Sequence, residues 1–182
     1  MEYFDIFAAS GAPLGQRLRG EVHRLGLWHR SAHAFVLDGA GRMLLQQRAL
    51  DKDLYAGCWD YACGEHLHSG ESYVRGMRRG LFEELGLTGV VLRPMGEVHA
   101  DSLVWPGGVD AEFQQAFVLP HDGDVRVDPV ELAAVQWVTK AELMAMLDRS
   151  PDLFTPWFRK EIVRLHILRD WDQLWGTVGL SV

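Results

Sequence analysis

The segment GESYVRGMRRGLFEELGL, Gly70 to Leu87, is the strongest constraint in the chain. Val74, Met77, Leu81 and Leu85 recur at three- and four-residue steps, the apolar stripe of an amphipathic helix. Gly86 stands where a helix takes its C-terminal cap. Positions 80, 83 and 84 fall within about a third of a helix circumference, so Glu83 and Glu84 are expected near one another beside Gly80. Two carboxylates on a rigid helix are costly unless a cation or basic groups neutralise them. Oxygen-rich carboxylate sites suit Mg2+ or Mn2+. Glu71 and Arg75, and then Arg75, Arg79 and Glu83, are spaced i, i+4, a ladder able to hold the carboxylates in place. From spacing alone, a metal site and a solvated face laced with salt bridges both stay open.

Around this helix the pattern is mostly strands. Tyr3 to Phe7, a turn at Ser10 to Pro13, and Leu14 to Leu18 read as a hairpin within residues 1–20. A short helix is expected near Gly20 to Leu25. Ser31 to Leu37 and Arg42 to Gln47, joined by Asp38-Gly39-Ala40-Gly41, read as a second hairpin. Strands are expected at Val90 to Leu92, Glu97 to Leu103, Glu112 to Leu119 and Val135 to Val138, with a turn at Pro106-Gly107-Gly108. Thr139 with Glu142 makes a capping box, and a last helix runs from about 155 to 170. Mixed strands with few, separated helices argue an α+β fold, an α/β/α sandwich, in one domain over residues 1–182.

The net charge is −7, from 18 Lys and Arg against 25 Asp and Glu, a poor basis for coating nucleic acid. No apolar run is long enough to span a membrane, and the start of the chain does not read as a signal peptide. Cys58 and Cys63 are too few for a disulfide framework or a Cys-rich zinc site, and read as small buried residues. A reducing cytoplasm is the simplest compartment. The aromatics near Trp171 and Trp175 are expected to be exposed, and suggest a packed C-terminal helix or a homodimer interface.

The glutamate helix resembles the Nudix box, with Glu71, Arg79, Glu83, Glu84, Gly86 and Leu87 all in register. The resemblance implies Glu84 as a direct Mg2+ ligand, Glu83 as a further or water-mediated ligand, and Arg79 as organiser of loop and helix. Two positions depart from the pattern. The starting glycine falls at Glu65, with Gly64 just before it, and the glutamate after the box arginine is Gly80. Glycine weakens a helix interior by about 1 kcal/mol relative to alanine.

From Glu21 to about Arg164 the chain is similar to the Nudix branch related to type I isopentenyl-diphosphate isomerase. The likeness runs through EVHRLGLWHRSAHAFVL, LLQQRALDKDLYAGCWD and FTPWF. It implies His29 and His66 as metal ligands, with His23 matching a third within one residue. Asp110 and Glu112 match the acidic pair, Glu112 being the metal-bound catalytic glutamate. Arg48 and Lys52 match diphosphate-binding residues, and Trp157 the aromatic residue facing the hydrocarbon. The isomerase's cysteine acid falls at Gly64, and its aromatic hydroxyl near Ala100. Outside that match, His33 is expected to point inward with a hydrogen-bond partner, and His68 to lie in the loop before Glu71.

These residues together suggest a Mg2+- or Mn2+-dependent hydrolase of a small-molecule diphosphate. In that reading Glu83 and Glu84 hold metal, Asp110 or Glu112 adds a ligand or base, and Glu112 is the preferred general base. The alternatives are an isopentenyl-diphosphate isomerase-like enzyme and a module that binds a diphosphate without turnover.

Overall fold

A computed structural model describes residues 2–105 and 108–180. The expected turn at Pro106-Gly107 lies outside the described residues. The N-terminal hairpin pairs β1 (Tyr3–Phe7) with β2 (Pro13–Leu18), and α1 (Arg19–Leu25) follows, ending on Gly26 in a left-handed cap with φ 62°.

The main sheet is built from β3 (His29–Leu37), β4 (Met43–Arg48), β5 (Trp59–Tyr61), β6 (Cys63–His66), β7 (Arg93–Trp105), β8 (Gly108–Pro120) and β9 (Leu132–Val138). Along it the order is β5-β4-β3-β8-β7, with β6 on β3 and β9 on β4. Among the ladders between the named strands only β3 against β8 is parallel, which makes the sheet mixed. β7 runs well beyond the expected Glu97 to Leu103, and β5 and β6 were not expected. Val90 to Leu92 forms no strand; Val90 and Leu92 pack instead as partly buried residues under the helix-side core.

Side chains alternate across β3 with the two-residue period of a strand. Ala32, Ala34 and Val36 face α2 (Tyr73–Leu85), whose Met77, Leu81 and Leu85 complete that core. Phe35 and Leu37 face the opposite core, built with α3 (Lys140–Arg149), α4 (Pro156–Arg164) and α5 (Trp171–Val178). Helices on both faces of a mixed sheet give the expected α/β/α sandwich.

The expected Thr139 cap is present, and α2 has an N-cap that was not anticipated. Ser72 accepts from the Arg75 N–H at the start of α2, and Thr139 and Glu142 form a full capping box on α3. The C-terminal helix is broken in two: α4 ends at Arg164, His166 takes φ 53°, and α5 starts at Trp171. Trp171 and Trp175 are buried rather than exposed, with Trp175 Nε1 donating to the Asp38 carbonyl at 2.6 Å. That burial answers the aromatic signal within the chain.

His33 points inward as expected, its Nε2 2.8 Å from Glu161 Oε1 and its ring stacked on Tyr61 at 4.5 Å. Burial alone would raise the Glu161 carboxyl, but hydrogen bonds from Arg164 and His33 hold it down at about 2. A depressed carboxyl stabilises the fold above its ordinary value of 4.5, and that contribution is lost as pH falls toward 2. Glu161→Gln should therefore lower stability at pH 7 by about 2–4 kcal/mol in urea unfolding. The gap to the wild type should narrow as the pH is lowered through that window. A gap independent of pH would show that the charge contributes nothing.

Candidate metal centre and diphosphate cleft

Three strands and a helix converge on one buried point. The parallel pairing of β3 with β8 sets His29 opposite Glu112, and the antiparallel pairing of β3 with β6 sets Ser31 opposite His66. Asp110 lies two residues before Glu112 and so on the same face of β8. α1 then delivers His23, and its approach depends on glycine, since a Cβ at Gly108 would lie 2.5 Å from the His23 carbonyl oxygen.

His29 Nε2 is 3.4 Å from Asp110 Oδ1 and 3.7 Å from Glu112 Oε1. His66 Nε2 is 3.0 Å from Glu112 Oε1 and 4.0 Å from Asp110 Oδ1, and His23 Nε2 is 3.7 Å from Asp110 Oδ1. Donor atoms of His23, His29, His66 and Asp110 all lie within 4.8 Å of one another. Phe4 of the hairpin stacks on His29 at 5.5 Å and on His66 at 5.4 Å, closing the cluster from above.

Two of the imidazoles are held neutral, as a metal ligand requires, while burial of His66 is outweighed by the hydrogen bond and charge of Glu112, which favour its charged form. His29 Nδ1 sits 3.0 Å from the Leu27 carbonyl, so Nδ1 carries the proton and Nε2 offers a lone pair. Burial, and then the charge of His66 and its histidine neighbours, lowers His29 to about 4 and His23 to about 3, keeping both neutral near pH 7. Burial opposes the ionised form of Glu112, but the His66 hydrogen bond and charge outweigh it and hold Glu112 low. Asp110 is pushed up by burial and by Glu112 beside it. Among the described residues, His23 Nε2, His29 Nε2 and Asp110 Oδ1 are buried without a hydrogen-bond partner. Unpaired buried polar atoms are costly, and three aimed at one point fit a bound divalent cation.

The box residues lie on the other side of β6. Arg79 is the hub there. Its Nε and one terminal nitrogen donate to Glu71 at 3.1 and 3.0 Å, that nitrogen also reaches the His66 carbonyl at 3.0 Å, and the other donates to Glu83 at 3.1 Å. The expected Glu71–Arg75 pair gives way to Glu71–Arg79, which fixes the loop to the helix. Glu83 and Glu84 diverge. Glu83 is half exposed on Arg79, whereas Glu84 is buried, 3.5 Å from Cys63 Sγ. With its amide turned to donate, Gln46 reaches Glu84 Oε2 at 2.8 Å. Burial, and then the charge of Glu65, pushes the Glu84 carboxyl well up.

Of the expected anion-binding residues, Arg48 lies with its guanidinium 5.3 Å over the Trp157 ring and donates through Nε to the Leu54 carbonyl at 3.1 Å. Lys52 pairs with Glu131. Trp157 is pinned by its Nε1 donating to Asp60 at 2.5 Å and lines a narrow cleft with Asp101, Asp110, Glu112, Gln114 and Lys160. The cleft thus joins the expected aromatic residue to the acidic pair. His68 contributes its backbone N–H to Glu71 at 2.9 Å. Cys63 is fully buried and Cys58 partly so.

Position 64 is closed. A Cβ on Gly64 would lie 2.7 Å from Tyr61 Cε2 and 3.5 Å from the Tyr61 hydroxyl oxygen, so the Tyr61 ring occupies the space of a side chain there. Sequence reasoning missed Tyr61, Phe4 and Gln114, whose Nε2 donates to Glu112 at 2.6 Å. Of these, only Gln114 carried a signal, the two-residue step from Glu112.

The NUDIX domain pattern matches residues 27–158. An isopentenyl-diphosphate Delta-isomerase of Burkholderia multivorans is 36% identical over 166 residues, covering 87% of this chain and 91% of its own. One from Streptomyces coelicolor is 34% identical over 158 residues, covering 85% of this chain and 78% of its own. A solved structure from Deinococcus radiodurans superposes with a TM-score of 0.74 at 22% identity, covering 91% of this chain and 99% of that one. The E. coli dihydroneopterin triphosphate pyrophosphohydrolase gives 0.53 at 19% identity over 74% of this chain and 92% of that one, a likeness of fold alone.

Replacing His29 with Ala, or Asp110 with Asn, should weaken Co2+ binding more than tenfold, read from the visible spectrum of the bound ion. Leu27 only orients His29 through its backbone, so Leu27→Val should leave that spectrum unchanged.

Proposed function

The chain belongs to the Nudix family, and from that premise we propose a divalent-metal-dependent enzyme acting on a small-molecule diphosphate. The observation that carries this reading is the convergence of three buried, unpartnered donor atoms on His23, His29 and Asp110. The residues that would hold Mg2+ or Mn2+ are His23, His29, His66, Asp110 and Glu112 on one face of β6, and Glu84 on the other. Bound there, the cation offsets diphosphate charge and acidifies water.

The chain's own groups divide the remaining work. Arg48, its guanidinium over Trp157, presents its terminal N–H groups to a phosphate, and Lys52, held on Glu131, adds a second positive charge. Trp157 gives the organic group an apolar wall beside Asp110 and Glu112. Glu112, kept ionised by His66 and oriented by Gln114, is the proton acceptor of the cleft. Arg79 keeps the box loop and α2 in register with β6.

Two reactions fit this class. Isomerisation has the relatives behind it, since they are named isopentenyl-diphosphate isomerases, and the full set of three imidazoles and two carboxylates goes with the likeness to that branch. It makes isopentenyl diphosphate the first substrate to try. Local chemistry favours hydrolysis. Protonating an unactivated alkene needs an acid, and position 64 offers glycine with the Tyr61 ring filling the space. Burial, and then the Asp60 and Glu112 charges, hold the Tyr61 hydroxyl well above its ordinary value of 10, which makes it a poor proton donor. We infer diphosphate hydrolysis as the reaction, with isomerisation as the competing outcome.

Incubation with isopentenyl diphosphate and Mg2+ in deuterated water separates the two. Phosphate release with no deuterium in the carbon skeleton is expected, and carbon-bound deuterium would establish isomerisation. A panel of nucleoside, sugar and prenyl diphosphates then fixes the organic group. Glu84→Gln should abolish metal-dependent turnover of whichever diphosphate is accepted, and unchanged activity would remove Glu84 from the machinery.

A further inference from the structure

The two departures from the Nudix box are complementary. The box has glycine at position 65 and glutamate at position 80, and this chain has Glu65 and Gly80. In space the two positions touch. A Cβ built on Gly80 would lie 3.1 Å from both Glu65 Cβ and Glu65 Oε2, and 3.0 Å from Cys63 Sγ. The Glu65 side chain therefore already fills the volume into which a box glutamate on α2 would project.

We propose that Glu65 supplies, from strand β6, the carboxylate that the box ordinarily supplies from the helix, and that Glu65 and Glu84 together hold the divalent cation on the helix side of the sheet. The proposal deepens the hydrolytic reading above and rests on it for its functional meaning. Three observations carry it. First, Cys63 and Glu65 share one face of β6, and Cys63 lies in the core beneath α2 while its sulfur contacts Glu84 at 3.5 Å. Glu65 is thus directed to the same side as Glu84. Second, positions 80 and 84 lie one helical turn apart, so a carboxylate in the space above Gly80 stands next to Glu84 whichever backbone bears it. Third, Arg79 ties Glu65 into the box. Its terminal nitrogen lies 2.9 Å from Glu65 Oε2 and 3.1 Å from Glu83 Oε2, leaving the second Glu65 oxygen outside that pair.

The exchange also explains a glycine within α2. Glycine costs a helix interior about 1 kcal/mol against alanine, yet here even a methyl group would press on the Cys63 sulfur and the Glu65 carboxylate. Gly80 is the space that Glu65 needs. Position 66, one step on, faces the other way and delivers His66 to the imidazole cluster.

The test reads metal binding without substrate, through the EPR signal of free Mn2+, in the full chain carrying His29→Ala and His66→Ala to silence the imidazole centre. One Mn2+ site is expected to persist in that background. Adding Glu65→Gln should weaken it at least tenfold, and so should Glu65→Gly. The exchange Glu65→Gly with Gly80→Glu should bring affinity back to within a few-fold of the starting protein, because it restores the carboxylate from the helix. Circular dichroism of each variant establishes that it is folded. Absence of any Mn2+ site in the background, an unchanged affinity in Glu65→Gln, or an exchange variant no tighter than Glu65→Gly would each overturn the assignment. Failure of every diphosphate to be hydrolysed would retire the hydrolytic reading, and the Mn2+ titration would still decide the ligand.

Discussion

The parallel ladder between β3 and β8 is the pairing on which the rest depends. It places His29 opposite Glu112 at the start of a run that continues to Leu37 opposite Pro120. Parallel strands are normally buried on both faces, and these are, by α2 on one side and by α3, α4 and α5 on the other. Burial removes water from His29 completely, and an imidazole there must be neutral and partnered. The Leu27 carbonyl satisfies one nitrogen, which leaves the other directed at the acidic pair. Shifting that register by one residue would turn Glu112 into the opposite core and dissolve the cluster.

β6 adds a second constraint. It is four residues long and lies against β3, with alternate side chains committed to different tasks. Cys63 and Glu65 serve the helix side, and Gly64 and His66 the imidazole side. A short strand between two cores has little freedom, because a change on either face meets packed neighbours: Tyr61 at position 64, and the α2 backbone at Gly80 on the far side of Glu65. Glu65 and Glu84 on the helix side and the imidazole cluster are therefore close along the chain and separated by the thickness of the sheet.

Much of this was legible in sequence because it rests on local period. The helix from 73 to 85 follows its apolar stripe and the Thr139 cap its capping box, whereas the acidic pair was visible only through the family resemblance, since the expected strand began at Glu112. His29, His66, Asp110 and Glu112 do converge. What was not legible depends on neighbours distant in sequence. Glu83 and Glu84 occupy adjacent positions on one helix, yet one turns to Arg79 and solvent and the other under the sheet, because Cys63 and Gln46 wait for it there. Trp171 and Trp175 read as exposed because nothing nearby in sequence covers them. Trp175 is covered by the core that includes Phe35, Leu37 and Val118, and its Nε1 donates to the carbonyl of Asp38, 137 residues away. β5 and β6 are too short for a period of their own, and the whole 58–66 stretch is organised by β4 and β3.

The same strand therefore bears on the choice between the two reactions. An isomerase of this branch needs an acid on the imidazole side, and a hydrolase needs its carboxylates on the helix side. On the first side position 64 has lost its side chain and Tyr61 has closed over it, with a hydroxyl that burial and neighbouring carboxylates keep protonated and weakly acidic. On the second side the carboxylate missing from Gly80 reappears at Glu65, in the same volume. One face of β6 thus carries glycine and the Tyr61 ring where an acid would stand, while the other carries Glu65 beneath Gly80, on the side of Glu84. That asymmetry is the local ground on which hydrolysis is proposed ahead of isomerisation, the activity for which the relatives are named.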